Sequence, residues 1–201
     1  MAKKIMLRFG LFAIVLFIVM PALSVSINAA EFSADMINKS PMGNIEGKMF
    51  FKEGNFRQEM MMGGQKQITI FRKDKGVVWV LMPAQMMYME MQAGSRQNMA
   101  PVDPDEIDKI GEKKYLGKEK VNGYMCSKYR YTFHDKSSGT AIYWISNKLN
   151  FPIKMKTEGT SGSMSMEYRN IQEKTVSASL FNIPDGYQKM SMPMMPGMPG
   201  Q

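Results

Sequence analysis

Only one of the 201 residues is cysteine, Cys126, and only one is histidine, His134. A lone cysteine closes no intramolecular disulfide, so stability must come from packing even in an oxidising compartment. With one His, one Cys and no phosphate-cradling glycine motif, the usual constellations of hydrolases and oxidoreductases are missing. His134, beside Asp135 at the end of an alternating apolar stretch, reads as a turn residue. Cys126 falls out of step with Tyr129 and Tyr131 and reads as an inert structural thiol. Asp103, Asp105, Glu106 and Asp108 lack the glycine-bearing loop of a calcium site and are better explained as helix capping. The expectation is a protein that is not an enzyme and carries no cofactor.

Long hydrophobic runs are also scarce. The one candidate, Phe9 to Val25, is interrupted by Pro21 and is shorter than the roughly 20 residues that span a bilayer. It follows Lys3, Lys4 and Arg8 and precedes the small residues Ala29 and Ala30, so residues 1–30 read as a secretory signal peptide. No cysteine stands at the cleavage region to be acylated. Removing residues 1–30 takes away those three basic residues and no acidic one, so 26 basic residues become 23 against 18 acidic, a formal charge of +5. That excess is spread along the chain without the basic cluster of a nucleic-acid footprint. A periplasmic monomer is expected, with transient envelope proteins as further partners and no nucleic acid.

What remains reads as one domain over residues 31–188. Short alternating stretches predict strands at 32–37, 47–52, 56–61, 67–72, 77–82, 86–91, 113–118, 124–133, 140–146, 153–158, 163–170 and 179–183. Turn chemistry separates them at Glu53-Gly54-Asn55, Gly63-Gly64, Asp74-Lys75-Gly76, Asn122-Gly123 and 135–139. One helix of about two turns is expected over 103–111, with Asp103 as cap, Pro104 at the first position and Gly111 at the end. It reads as a connector or as a lid. The fold class is therefore mainly β with a little α: a strongly curved antiparallel sheet or incomplete barrel of about 11 strands with one or two short lid helices.

Methionine is what the chain has in excess, 24 residues. Many stand two apart, which places them on one face of a strand. Alternation assigns one apolar face to Met49 with Phe51, Ile68 with Ile70, Met87 with Met89 and Met91, Tyr129 with Tyr131 and Phe133, Ile153 with Met155, and Met164 with Met166. Lys48, Lys52, Lys128, Arg130, Lys154 and Lys156 occupy the alternate positions, as in a sheet wet on one side. The stretch 77–82 is apolar on both faces, which predicts a central strand covered twice. Unbranched thioethers repack cheaply around variable apolar shapes, so these residues are candidates to line a pocket for a lipid or acylated ligand. An ordinary core is the alternative.

Several segments carry a resemblance. Residues 71–83 (FRKDKGVVWVLMP) followed by Tyr88, 117–126 (GKEKVNGYMC), 151–155 (FPIKM) and 180–187 (LFNIPDGY) resemble an uncharacterised bacterial secreted domain family grouped with the outer-membrane lipoprotein carriers LolA and LolB. The resemblance implies an incomplete antiparallel barrel whose concave apolar face accepts acyl chains beneath helical lids. The long amphipathic N-terminal helix of the carriers has no counterpart here. Arg57 falls near the carriers' lid-latching arginine, but the loose local motif carries no role across to it.

Residues 189–201 are too rich in proline and glycine for strand or helix and are expected to be disordered. Their methionines, Met190, Met192, Met194, Met195 and Met198, supply the alternative reading of a Cu(I)-binding protein, because soft thioethers select Cu(I). An envelope structural protein without ligand is a third.

Overall fold

The computed structural model describes residues 30–41, 43–93, 111–134, 139–159 and 162–190. Within them lie twelve strands: β1 (Glu31–Ser40), β2 (Gly43–Lys52), β3 (Asn55–Met62), β4 (Gln65–Arg72), β5 (Val77–Met82), β6 (Met87–Gln92), β7 (Gly111–Val121), β8 (Tyr124–Phe133), β9 (Thr140–Ser146), β10 (Phe151–Gly159), β11 (Gly162–Glu173) and β12 (Gln188–Lys189). The hairpin turns follow from local chemistry. Gly63 and Gly64, and likewise Asn122 and Gly123, take positive φ at both central positions, the geometry that matches the twist of the flanking strands.

All twelve strands form one sheet, in the order β12-β6-β5-β4-β3-β2-β1-β11-β10-β9-β8-β7. Two meanders, β1 to β6 and β7 to β11, are joined where β1 pairs antiparallel with β11, with Met36 opposite Tyr168. Only β12 pairs parallel, along β6.

The sheet is strongly curved, and side-chain contacts show in which direction. Strands β2 and β10 are three places apart, so in a flat sheet they would lie about 14 Å from each other. Yet the rings of Phe51 and Phe151 are 4.9 Å apart. Strands β3 and β11 are equally distant in order, and Gln58 Nε2 donates to the Tyr168 hydroxyl at 3.2 Å. The sheet therefore folds toward the face bearing these residues. Bulges at 33–35, 115–117 and 152–154 supply local bending. The crease is filled by a core that includes Phe32, Met36, Met49, Phe151, Ile153 and Tyr168.

The convex face of β3 to β6 is covered by the chain that follows β11. Val176, Leu180, Phe181, Ile183 and Tyr187 pack on Ile68, Ile70, Trp79 and Leu81. Residues 179–183, expected as a strand, instead include a short 3-10 helix, Ala178–Phe181. Ser177 Oγ accepts from Ser179 N and starts it, and Pro184 follows it, so no ladder forms. Strand β5 has one face under this strap but lies third from the edge, not at the centre. Gly111 opens β7 opposite Phe133 instead of ending a helix. The rest of the expected helix, 103–110, is outside the described residues.

Three cations fasten the strap. Lys52 Nζ bonds Glu31 at 2.8 Å and the Val176 carbonyl at 3.2 Å, while Glu31 Oε2 accepts from Val176 N. Arg57, 8% exposed, donates to the Leu180 carbonyl at 2.8 Å and to Glu59 at 2.7 Å. Arg72 donates to the Phe181 carbonyl at 2.9 Å and to Asp74. Removing strap carbonyls would leave the nearly buried Arg57 poorly satisfied, so polar and apolar fastening reinforce one another.

These ion pairs set a pH dependence. Hydrogen bonds from Lys52 and from Val176 N hold the Glu31 carboxyl below its ordinary 4.5. Burial works to raise Glu59, but hydrogen bonds from Lys66 and Arg57 outweigh it and the net shift is downward. Arg72 lowers Asp74 from 3.8. Carboxyls lowered in the folded state make the folded chain bind fewer protons than the unfolded one, so their stabilisation is complete above the ordinary values and is lost as pH falls through the lowered ones. The urea midpoint should hold steady above about pH 6 and drop between about pH 5 and 3. A midpoint unchanged over that range would show that the fasteners contribute nothing.

Candidate functional site

Register carries one face across the whole sheet, because residues directly opposite in a ladder share a side. On the first meander, Phe51 faces Phe56, Gly47 faces Met60, Val80 faces Met89, Val78 faces Met91 and Met82 faces Met87. On the second, Met166 faces Met155, Met155 faces Tyr143, and Tyr143 faces Tyr129. All lie on the side toward which the sheet curls. It has a filled crease and two wings.

The structure divides the expected lining residues accordingly. Met49, Tyr131 and Ile153 have no exposed surface and serve as core. Phe51, Met87, Met89, Met91, Tyr129, Phe133, Met155 and Met166 are half-buried, and Met164 is exposed. Ile68 and Ile70 lie on the opposite face, in register with Leu81 and Trp79 under the strap. Alternation within β4 could not reveal this, because Phe71 and Thr69 on its other face are also compatible with burial.

Sequence reasoning missed Met36, Met60, Met82 and Tyr143 on the inner face. Met82 could have been found by extending the alternation, whereas Tyr143 required knowing that β9 pairs β8 through Tyr129. Gln58, 5% exposed, and Tyr168 were also missed. Burial pushes the Tyr168 phenol up, so it remains protonated and donates to Met166 Sδ at 3.5 Å while accepting from Gln58. Burial likewise pushes Tyr143 up to about 12. Lys113 Nζ lies 4.6 Å from the centre of the Tyr129 ring, setting a positive charge on the aromatic wing.

A hollow of about 310 Å³ opens near the β1–β2 and β10–β11 turns, lined by Lys39, Ser40, Pro41, Lys156, Ser163, Met164 and Ser165. A side chain on Gly162 would meet Pro41 Cγ at 2.8 Å, which explains glycine where the two turns approach. Among the described residues no three His, Cys, Asp or Glu gather into a metal-binding group. Cys126 is fully buried and its thiol is pushed up, first by burial. Met190 lies beside β6, with its backbone N–H donating to the Tyr88 carbonyl at 2.8 Å. Met192, Met194, Met195 and Met198 are outside the described residues, as are residues 1–29.

The geometry makes Tyr168→Phe a sharp test of the crease. It strands a buried Gln58 amide, and should destabilise the chain by about 1–3 kcal/mol in urea unfolding while native circular dichroism is retained. A loss well under 0.5 kcal/mol would mean that Gln58 finds another partner.

Comparison with solved structures shows the fold in distant company. An uncharacterized conserved protein from Thermus thermophilus superposes with a TM-score of 0.58 at 9% identity, over 81% of this chain and 90% of that one. The MucA/MucB complex of Pseudomonas aeruginosa gives 0.51 at 11% identity, over 77% of this chain and 56% of that one, so this chain spans little more than half its length. A LolA superfamily protein from Nitrosomonas europaea is a looser match, 0.39 at 11% identity over 77% of this chain and 90% of that one. No curated protein matches the sequence. The family model for a domain of unknown function, DUF4412, matches residues 33–150 and 146–187, and the chain belongs to that family.

Proposed function

We propose that this chain is a non-enzymatic binding or carrier protein of the bacterial envelope that holds a lipid or acylated ligand against its concave methionine- and aromatic-lined face. The observation that carries the reading is the half-buried state of Met87, Met89, Met91, Tyr129, Phe133, Met155 and Met166 on the side toward which the sheet curls. Tyr129, Phe133, Met155 and Met166 pack at the rims of the buried clusters and keep apolar surface in contact with water, whereas Met49 and Tyr131 keep none. The wings offer apolar surface that an acyl chain would remove from water.

Covering about eight methylenes at about 0.8 kcal/mol each gives about 6 kcal/mol, or affinities of tens of micromolar. Methionine suits such a surface because its thioether side chain repacks around chains of different length and kink. The basic, apolar and small-residue succession of residues 1–30 supports export, and with it a periplasmic location.

Displacement of a fluorescent fatty acid from the full chain tests the reading. Met89→Asp places a charge on the wall and should weaken binding by at least about tenfold. Met61→Asp, at an exposed position paired with Lys66, should leave binding unchanged. No uptake by the natural chain, or equal losses in both variants, would sink it.

A further inference from the structure

The edge of the sheet at β6 gathers several thioethers on one face. Met82 stands directly opposite Met87, and Met89 follows two residues along the same face. Beyond β6, Gln188 pairs with Met87 and Lys189 with Tyr88, so the next step in this parallel register sets Met190 beside Met89. Lys189 Nζ bonds Glu90 Oε1 at 2.7 Å, and Glu90 Oε2 accepts from Trp79 Nε1 at 2.8 Å. Trp79 belongs to the cluster beneath the strap. Lys189 therefore points to the convex side, and alternation turns Met190 to the methionine side. All four methionines are half-buried.

We propose that Met82, Met87 and Met89 form a thioether site for Cu(I). Opposed Cβ atoms in an antiparallel pair lie about 5 Å apart and neighbouring strands about 4.8 Å apart. Each sulfur sits two bonds beyond its Cβ on a side chain with three rotatable bonds, so Met82, Met87 and Met89 on adjacent strands can converge on one ion, with Met190 flanking Met89. Soft thioethers select Cu(I), whereas harder divalent ions need the imidazole, thiolate or carboxylate donors that this edge does not gather. The donor set is neutral and leaves the ion a single positive charge, which the half-exposed edge keeps in contact with water.

This site stands apart from the lipid reading, and one set of variants separates them. The full chain is titrated anaerobically with Cu(I) against a chromophoric Cu(I) chelator, and ¹³C-methyl methionine spectra are recorded with Ag(I) as a redox-stable substitute. The natural chain should withdraw Cu(I) from the chelator and shift the methyl signals of these three residues together. The triple variant Met82→Leu, Met87→Leu, Met89→Leu should lose more than about 100-fold in Cu(I) affinity, since loss of even an outer partner of a metal ligand costs about 10 to 100-fold. The double variant Met155→Leu, Met166→Leu, on the other wing, should leave Cu(I) affinity unchanged. A chain ending at Met190 should retain Cu(I) binding. Failure of the natural chain to compete overturns the site. So does a triple variant within twofold of it, or a truncated chain that no longer binds.

Discussion

The pairing of β1 with β11, and the crease that closes over it, organise everything else in this molecule. Met36 opposite Tyr168 joins two meanders that would otherwise be separate half-buried sheets. Once joined, they fold toward each other until Phe51 on β2 packs against Phe151 on β10, with Phe32 in contact with both. These aromatic contacts cross three strand spacings and can form only in a strongly bent sheet. Gln58 and Tyr168 place a polar contact of the crease where it is fully shielded. Because an unsatisfied amide there would cost free energy, the contact also helps to fix how far the sheet closes.

Bending has opposite consequences for the two faces. On the concave side it buries the middle and leaves the wings half-open, which is where the methionines of β6, β10 and β11 lie. On the convex side it opens space over β3 to β6, and the segment after β11 fills it with Val176 and Phe181. Lys52, Arg57 and Arg72 hold that segment through its backbone carbonyls. The strap then continues as β12 and covers the exposed edge of β6, leaving the charged strand β7 as the other edge. Lysines and a bulge at 115–117 protect β7 from pairing with another chain.

Strand content is legible in the sequence because it depends on nearest neighbours. Alternation locates β1 to β11 to within a few residues, and paired positive-φ residues such as Asn122-Gly123 mark the turns. Face assignment is legible wherever one side of a strand is charged, as with Lys128 and Arg130 against Tyr129 and Tyr131. It fails at β4, whose two faces are both apolar enough to be buried: alternation groups Ile68 and Ile70 with the concave set, yet they belong under the strap. The segment around Phe181 has a strand-like composition, while Ser177 and Pro184 confine it to a single 3-10 turn. Arg57 has no interpretable role until Leu180, 123 residues away, is seen to accept its hydrogen bond.

The sequence by itself determined the antiparallel strand pattern, the turns and the presence of a methionine-rich apolar surface, since each follows from local backbone preference and period-two spacing. Tertiary structure alone decided which methionines became core and which remained at the surface. Met49 and Met89 sit on the same face with the same chemistry, yet Met49 lies in the crease and Met89 on a wing. That difference arises from long-range closure of the sheet, which no local spacing encodes.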